Sequence, residues 1–301
     1  MSWQAQVIRA LAHRVSRPAL RRQRDPLAAR ARFERFARRS LRVPPGTLDL
    51  PGRAGGVPGL WVSNRPDDSG VIVYFHGGAY LMGSPRTHLP LAAELARRTG
   101  ARVFMPEYRL APEHPFPAAF EDAEAAYDGL LALGHSPESL VLAGDSAGGG
   151  LALALLARLC ARGLRPAGYV GFSPWTDLTL SGASLVTNAS RDQLLPGHRL
   201  TEIRAMILGG ATPQDAMDPR LSPLHAEFPA PPPVLIHAAQ TEILRDDALR
   251  MRGRLPRAEI RLAGDLPHVW PMLFNWLPEA RDTLDDTARF IRRVLAPEAG
   301  S

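Results

Sequence analysis

Gly144-Asp145-Ser146-Ala147-Gly148 puts a serine among small residues where one apolar run, 140–143, gives way to another. The spacing fits G-x-S-x-G, and a strand read before it and a helix after it make the sharp turn that lifts a hydroxyl above a sheet edge. A bulky Cβ substituent at 144 or 148 would collide with the flanking elements, and the N-terminus of the following helix favours negative charge beside the hydroxyl. The competing reading is a glycine-rich structural turn. A serine alone is a poor nucleophile; it needs a base, an acid to orient the base, and donors for an oxyanion. At such a turn the acid follows the serine in the chain and the histidine follows the acid. His198, His225, His237 and His268 lie downstream. His237 falls within an apolar strand, and His198 and His225 within a long excursion. His268, in "GDLPHVWPM", lies between a late strand and the last helix, where a base can hang over the sheet edge. The acid is sought in "QTEILRDD": Glu242 is nearest the strand end, while Asp246 and Asp247 are placed to start or cap a helix. Donors are expected from the amide of Ala147 and from the glycine-rich "HGGAY" at 76–80.

Short apolar runs must position these groups. "GVPGLWVSN", with a hairpin partner at 47–50, "GVIVYF", "ARVFMP", "SLVLAG", "GYVGFSP", "PPVLIHAAQ" and "AEIRLAG" read as strands. Helical stretches at 89–98, 118–133, 147–162, 246–255 and 279–295 alternate with them, which predicts an α/β fold on a mostly parallel sheet. Residues 176–228 interrupt the alternation and read as a cap over one end of the sheet, within a single domain spanning 1–301.

The chain of 301 residues is long enough for one large domain, and none of its apolar runs reaches the length of a bilayer span. Its one cysteine, Cys160, reads as a core thiol and fits a cytoplasmic protein. All 36 basic residues are arginine. Residues 1–42 hold twelve of them against Asp25 and Glu34, about +10, which leaves the remainder near −4. Val7, Ile8, Leu11 and Val15 recur at helical spacing, so the arm reads as amphipathic helices packed on the main domain with solvated arginines. Pro18 and Pro26 are expected to break it into pieces. A targeting peptide or a nucleic-acid arm is the competing reading; no nucleic-acid partner and no integral membrane association are expected. The cap is expected to lack an extended apolar face for a lipid surface.

"HGGAY", "EYRLAPEHPFPAAFED", "GDSAGGG", "FSPWTDLT", "TEILRDD" and "LPHVWPM", all in order, resemble the hormone-sensitive-lipase-like α/β-hydrolases, the bacterial family IV carboxylesterases. The resemblance runs from about residue 57 to the last helix. It implies a central, mostly parallel eight-stranded sheet flanked by helices under a helical cap built from about 1–45 and 176–228. It implies hydrolysis of small, short-acyl esters through an acyl-enzyme, with no metal or cofactor. By position it assigns Ser146 as nucleophile, His268 as base and Glu242 as acid, where many relatives read "DPLRD". It sets the oxyanion hole at Gly77, Gly78, Ala79 and Ala147, with Ala79 where the family's H-G-G-G has a third glycine and Gly77 shaping the loop. "YRLAPEHPFPA" braces the site, with Glu113 and His114 outside the chemistry. The same triad could serve a lactone, an aryl formamide or a natural-product ester. A ligand-binding member of the fold would have lost its base, and none of the three residues is missing. Relatives' habit of pairing through a sheet edge makes a homodimer an expectation by analogy.

Overall fold

In the computed structural model, which describes residues 1–65, 70–210 and 212–296, the apolar runs become one eight-stranded sheet. Its strands are β1 (Leu48–Ala54), β2 (Val57–Ser63), β3 (Val71–Phe75), β4 (Arg102–Pro106), β5 (Leu140–Asp145), β6 (Gly168–Phe172), β7 (Val234–Ala239) and β8 (Glu259–Ala263). They lie in the order β1-β2-β4-β3-β5-β6-β7-β8. β1 with β2 and β2 with β4 pair antiparallel; every other pair is parallel.

The helices are α1 (Trp3–Leu11), α2 (Arg17–Arg22), α3 (Pro26–Ser40), α4 (Pro85–Thr99), α5 (Ala118–Ala132), α6 (Ser146–Ala161), α7 (Ser184–Thr187), α8 (Leu200–Leu208), α9 (Arg245–Arg250) and α10 (Pro278–Leu295). The two-residue period of the strands divides the core between both sheet faces. Val71, Val73 and Phe75 of β3 and Leu140 and Leu142 of β5 join α5 and α6 on one face. Ile72, Tyr74, Val141 and Ala143 join α4 and α10 on the other. Covering both faces explains why the central strands are apolar throughout rather than alternating. Cys160 is buried in α6, as the sequence indicates, and burial pushes its thiol up to about 11.

The N-terminal arm departs from its sequence reading twice. Pro18 does not break it. Helix runs unbroken from Trp3 to Arg22, and a π-turn, Ala12–Ser16, precedes the proline. The wider turn accommodates a residue with no N–H to donate. The chain does break before Pro26, where the Asp25 carboxylate caps α3 by accepting from the Leu27 N–H. The orientation also differs. Small residues, Ala5 and Ala12, face the protein with Ile8 half-buried, while Val7, Leu11 and Val15 point outward with Trp3. The extended apolar face expected to be absent is therefore present on this helix.

The arm is tied down along its length. Ser2 donates from its N–H and hydroxyl to Glu279, Arg9 pairs with Asp265, and Arg17 donates to the Ala189 carbonyl. Arg199, from the excursion between β6 and β7, donates to the Leu20 carbonyl, and Arg24 pairs with Glu202 of α8.

Candidate active site

β5 ends at Asp145 and α6 begins at Ser146, so strand passes to helix with no linking residue. Ser146 adopts φ +50°, the left-handed region that costs a β-carbon-bearing residue about 1–2 kcal/mol. The glycines around it permit that turn. A Cβ at Gly148 would sit 2.1 Å from the Phe75 carbonyl oxygen, and one at Gly144 would sit 2.6 Å from the backbone of Gly148. One at Gly150 would meet the Trp175 carbonyl at 2.0 Å, so the glycine run also lets the segment after β6 close on α6.

His268 lies after β8 and reaches back across the sheet edge. Its Nε2 is 2.9 Å from Ser146 Oγ, and its Nδ1 is 2.9 Å from Glu242 Oε2. A carboxylate offers only acceptors, so Nδ1 carries the hydrogen and Nε2 is left to accept the serine O–H. Glu242, buried in the turn after β7, is oriented through its other oxygen by Ser173 Oγ at 2.7 Å and the Ala239 N–H at 2.9 Å. Burial works to lower the His268 pKa, but the hydrogen bond and charge of Glu242 outweigh it. With Asp192 and Asp145 adding, the ring holds its proton above the ordinary imidazole range.

The other candidates lie elsewhere. Asp246 accepts from the Ser184 N–H and Asp247 from the N–H groups of Thr176 and Asp177. His198 is exposed, His225 lies 3.7 Å from Asp177, and His237 is buried in β7 with its pKa pushed down to about 4, chiefly by burial. Glu113 pairs with Arg30.

The "HGGAY" loop leaves β3 beside the serine. The Gly77 N–H donates to Asp145 Oδ1 at 3.0 Å, so this amide is already engaged. The same carboxylate accepts from Tyr74 at 2.8 Å and lies 3.3 Å from His88 Nε2. A Cβ at Gly77 would meet it at 2.1 Å. Gly78, Ala79 and Tyr80 then follow with φ of +124°, +56° and +58°, a run of positive φ in the loop beside the serine. Arg30 of α3 fastens the back of this loop, donating to the carbonyls of Leu81 at 2.7 Å and Ala111 at 2.8 Å.

Sequence reasoning assigned no role to Ser173, Asp145 or Arg30. The first two stood in quoted motifs, "FSPWTDLT" and "GDSAGGG", where a polar residue buried beside the site was the available signal. It also missed three excursion residues that grip the turn carrying Glu242. Ser184 donates to the Ile243 carbonyl (2.6 Å), Asn188 to those of Gln240 (3.0 Å) and Glu242 (2.8 Å), and Asp192 accepts from the Ile243 N–H (2.8 Å).

A model of the alpha/beta hydrolase fold family matches residues 72–271, which contain the serine, the glutamate and the histidine. The chain belongs to that family. It is 38% identical over 258 residues to an acetyl-hydrolase of Streptomyces hygroscopicus, covering 84% of each chain. It is 37% identical over 246 residues to an esterase of Acinetobacter venetianus, covering 80% of each. A solved esterase of the bacterial hormone-sensitive lipase family superposes with a TM-score of 0.90 at 35% identity, over 98% of this chain and 99% of that one. The protein is accordingly an ester hydrolase of the hormone-sensitive-lipase type. No helix among the described residues is long and apolar enough to cross a membrane.

Proposed function

We propose that the protein hydrolyses small carboxylic esters of short acyl chain through a Ser146–His268–Glu242 triad. The observation that carries the reading is the imidazole spanning the serine hydroxyl and the buried carboxylate at 2.9 Å on each side. His268 Nε2 takes the proton as Ser146 Oγ attacks the ester carbonyl carbon. The carbonyl oxygen, now negative, is held by the amides of Gly78, Ala79 and Ala147, of which the first two belong to the left-handed run and the third to the first turn of α6. His268 returns the proton to the departing alcohol, leaving an acyl-serine. Water then attacks the acyl carbon by the same route and the free serine is regenerated. The arm and residues 176–228 act as the cap that encloses the substrate. The acetyl-hydrolase name of the Streptomyces relative favours short acyl groups.

Ser146→Ala should reduce p-nitrophenyl acetate hydrolysis to background while the far-UV spectrum stays that of the parent. Persisting turnover would refute the assignment. An acyl-length series run beside a lactone and an aryl formamide should peak at two to four carbons, about the length expected of a short-acyl pocket. A lactone or formamide turned over faster than every simple ester would move the substrate class instead.

A further inference from the structure

Among the described residues, Trp3, Val7, Leu11 and Val15 stand 71, 48, 56 and 61% exposed, each four positions from the last. On an uninterrupted α-helix a four-residue step drifts slowly around the axis, but the wider π-turn at Ala12–Ser16 brings Val15 back toward the line of Leu11. The result is an apolar stripe, within about a quarter of the helix circumference, on the solvent side of the helix from Trp3 to Arg22. Alanines occupy the packed side. A large aromatic and three aliphatic side chains in a row are not scattered surface residues, and a contiguous exposed stripe marks an interaction face.

The charges beside it say what the face meets. Arg14, Arg21 and Arg22 are exposed and have no carboxylate partner among the described residues, whereas Arg9, Arg24 and Arg30 are paired. The arm carries about +10 and the remainder about −4, so a negative surface would attract this end and repel the rest. A tryptophan, aliphatic residues and unpaired arginines on one surface helix are the composition of a segment that lies in a lipid–water interface.

We propose that the outer face of this helix docks the enzyme on an anionic phospholipid bilayer. The docked orientation follows from the arm's attachments. Arg9 holds Asp265, three residues before His268, and Arg17 holds Ala189 of the excursion. The face that meets lipid is thus fastened to the segments bearing the base and gripping the acid, and a membrane-dissolved ester has a short path to the serine. The docking does not depend on the proposed acyl preference.

The test is co-sedimentation of the full chain with vesicles of phosphatidylcholine alone or with about one-third phosphatidylglycerol, at about 0.1 M salt. Binding should be at least tenfold tighter on the anionic vesicles, since each arginine near such a surface contributes about fivefold. Val7→Gln with Leu11→Gln should weaken it tenfold or more, and Arg14→Gln with Arg21→Gln and Arg22→Gln should cut the preference for anionic lipid by about tenfold or more. Both sets lie on the solvent side of the arm, opposite the Ala5 and Ala12 side by which it packs as cap, so p-nitrophenyl acetate hydrolysis in solution should remain that of the parent and report intact folding. The proposal is overturned if the parent stays in the supernatant, or if the Val7 and Leu11 changes leave binding intact. A parent dimer that those changes convert to monomer would equally overturn it by assigning the stripe to a second copy.

Discussion

Ala79 stands between Gly78 and Tyr80 in the left-handed run, at φ +56°, where a β-carbon is penalised. The neighbouring glycine cannot trade places with it, because a Cβ at Gly78 would approach the Met82 carbonyl oxygen to 2.1 Å. Ala79→Gly should relieve the strain, offset in part by the greater freedom glycine gives the unfolded chain. A net stabilisation of about 0.5–1 kcal/mol in urea unfolding is expected, with ester hydrolysis retained. A variant less stable than the parent would mean that the alanine methyl contributes packing that outweighs its strain. Ser146 and His268 were legible at this scale because a strained turn demands small neighbours in sequence and a base needs a loop after a late strand. Glu242 was legible as the carboxylate nearest the strand end, with Asp246 and Asp247 set aside for the start of a helix. Ser173 was not legible, since its hydroxyl matters only through a glutamate sixty-nine positions away, and no local pattern encodes that meeting.

The elements that bear the site are held by one that bears none of it. Ser184, Asn188 and Asp192 follow at four-residue steps through α7 and the turns after it, and all three bond the backbone between Gln240 and Ile243. Burial pushes the Asp192 carboxyl above its ordinary range, against three backbone N–H donors that favour its charged form, those of Leu194, Leu195 and Ile243. Its charge in turn helps His268 keep a proton. The proposed base must be neutral to act, so turnover should fall as pH drops through a His268 pKa lying above the usual 6.5. Asp192→Asn removes that charge and loosens the acid's turn. The acid limb of kcat/KM should move to lower pH while kcat falls about tenfold. A fall in kcat with the limb unmoved would leave Asp192 only a structural strut. The strands and main helices were legible in the sequence because period and length both pointed the same way. The arm's facing was not, because a helix can pack on its alanines when hydrogen bonds at Ser2, Arg9 and Arg17 fix it, and hydrophobic spacing alone then indicates the wrong side.

Across the whole molecule, the excursion and the sheet are joined at a pair of buried acids. Asp247 of α9 accepts from the Thr176 and Asp177 N–H groups at 2.8 and 2.9 Å, while Asp177 gathers Thr179, Ser181 and Arg250. Burial pushes the Asp247 carboxyl up to about 8, with the Asp177 charge adding to it against those amide hydrogen bonds. Asp177 is itself held down at about 2: burial opposes ionisation, but the hydroxyls of Ser181 and Thr179 and the Arg250 guanidinium prevail. A carboxyl raised on folding keeps a proton that the unfolded chain has released, so its contribution is full below the unfolded value of 3.8 and is lost as pH rises toward 8. Asp177 has the opposite sign, and its contribution is lost only in acid, as pH falls from 3.8 toward 2. Between about pH 5 and about pH 9 the two acids are therefore separable: of the pair only Asp247 gives a downward slope, to which the raised His268 adds its own. Asp247→Asn keeps an oxygen to accept the two amides and removes the titration. The melting temperature of the parent should drop across that interval by more than that of the variant, and the variant should be the more stable at the alkaline end. The raised His268 titrates identically in both proteins and cancels from the difference. Parallel melting curves across the interval would mean that Asp247 stays charged in the native state and that the junction is held by its anion.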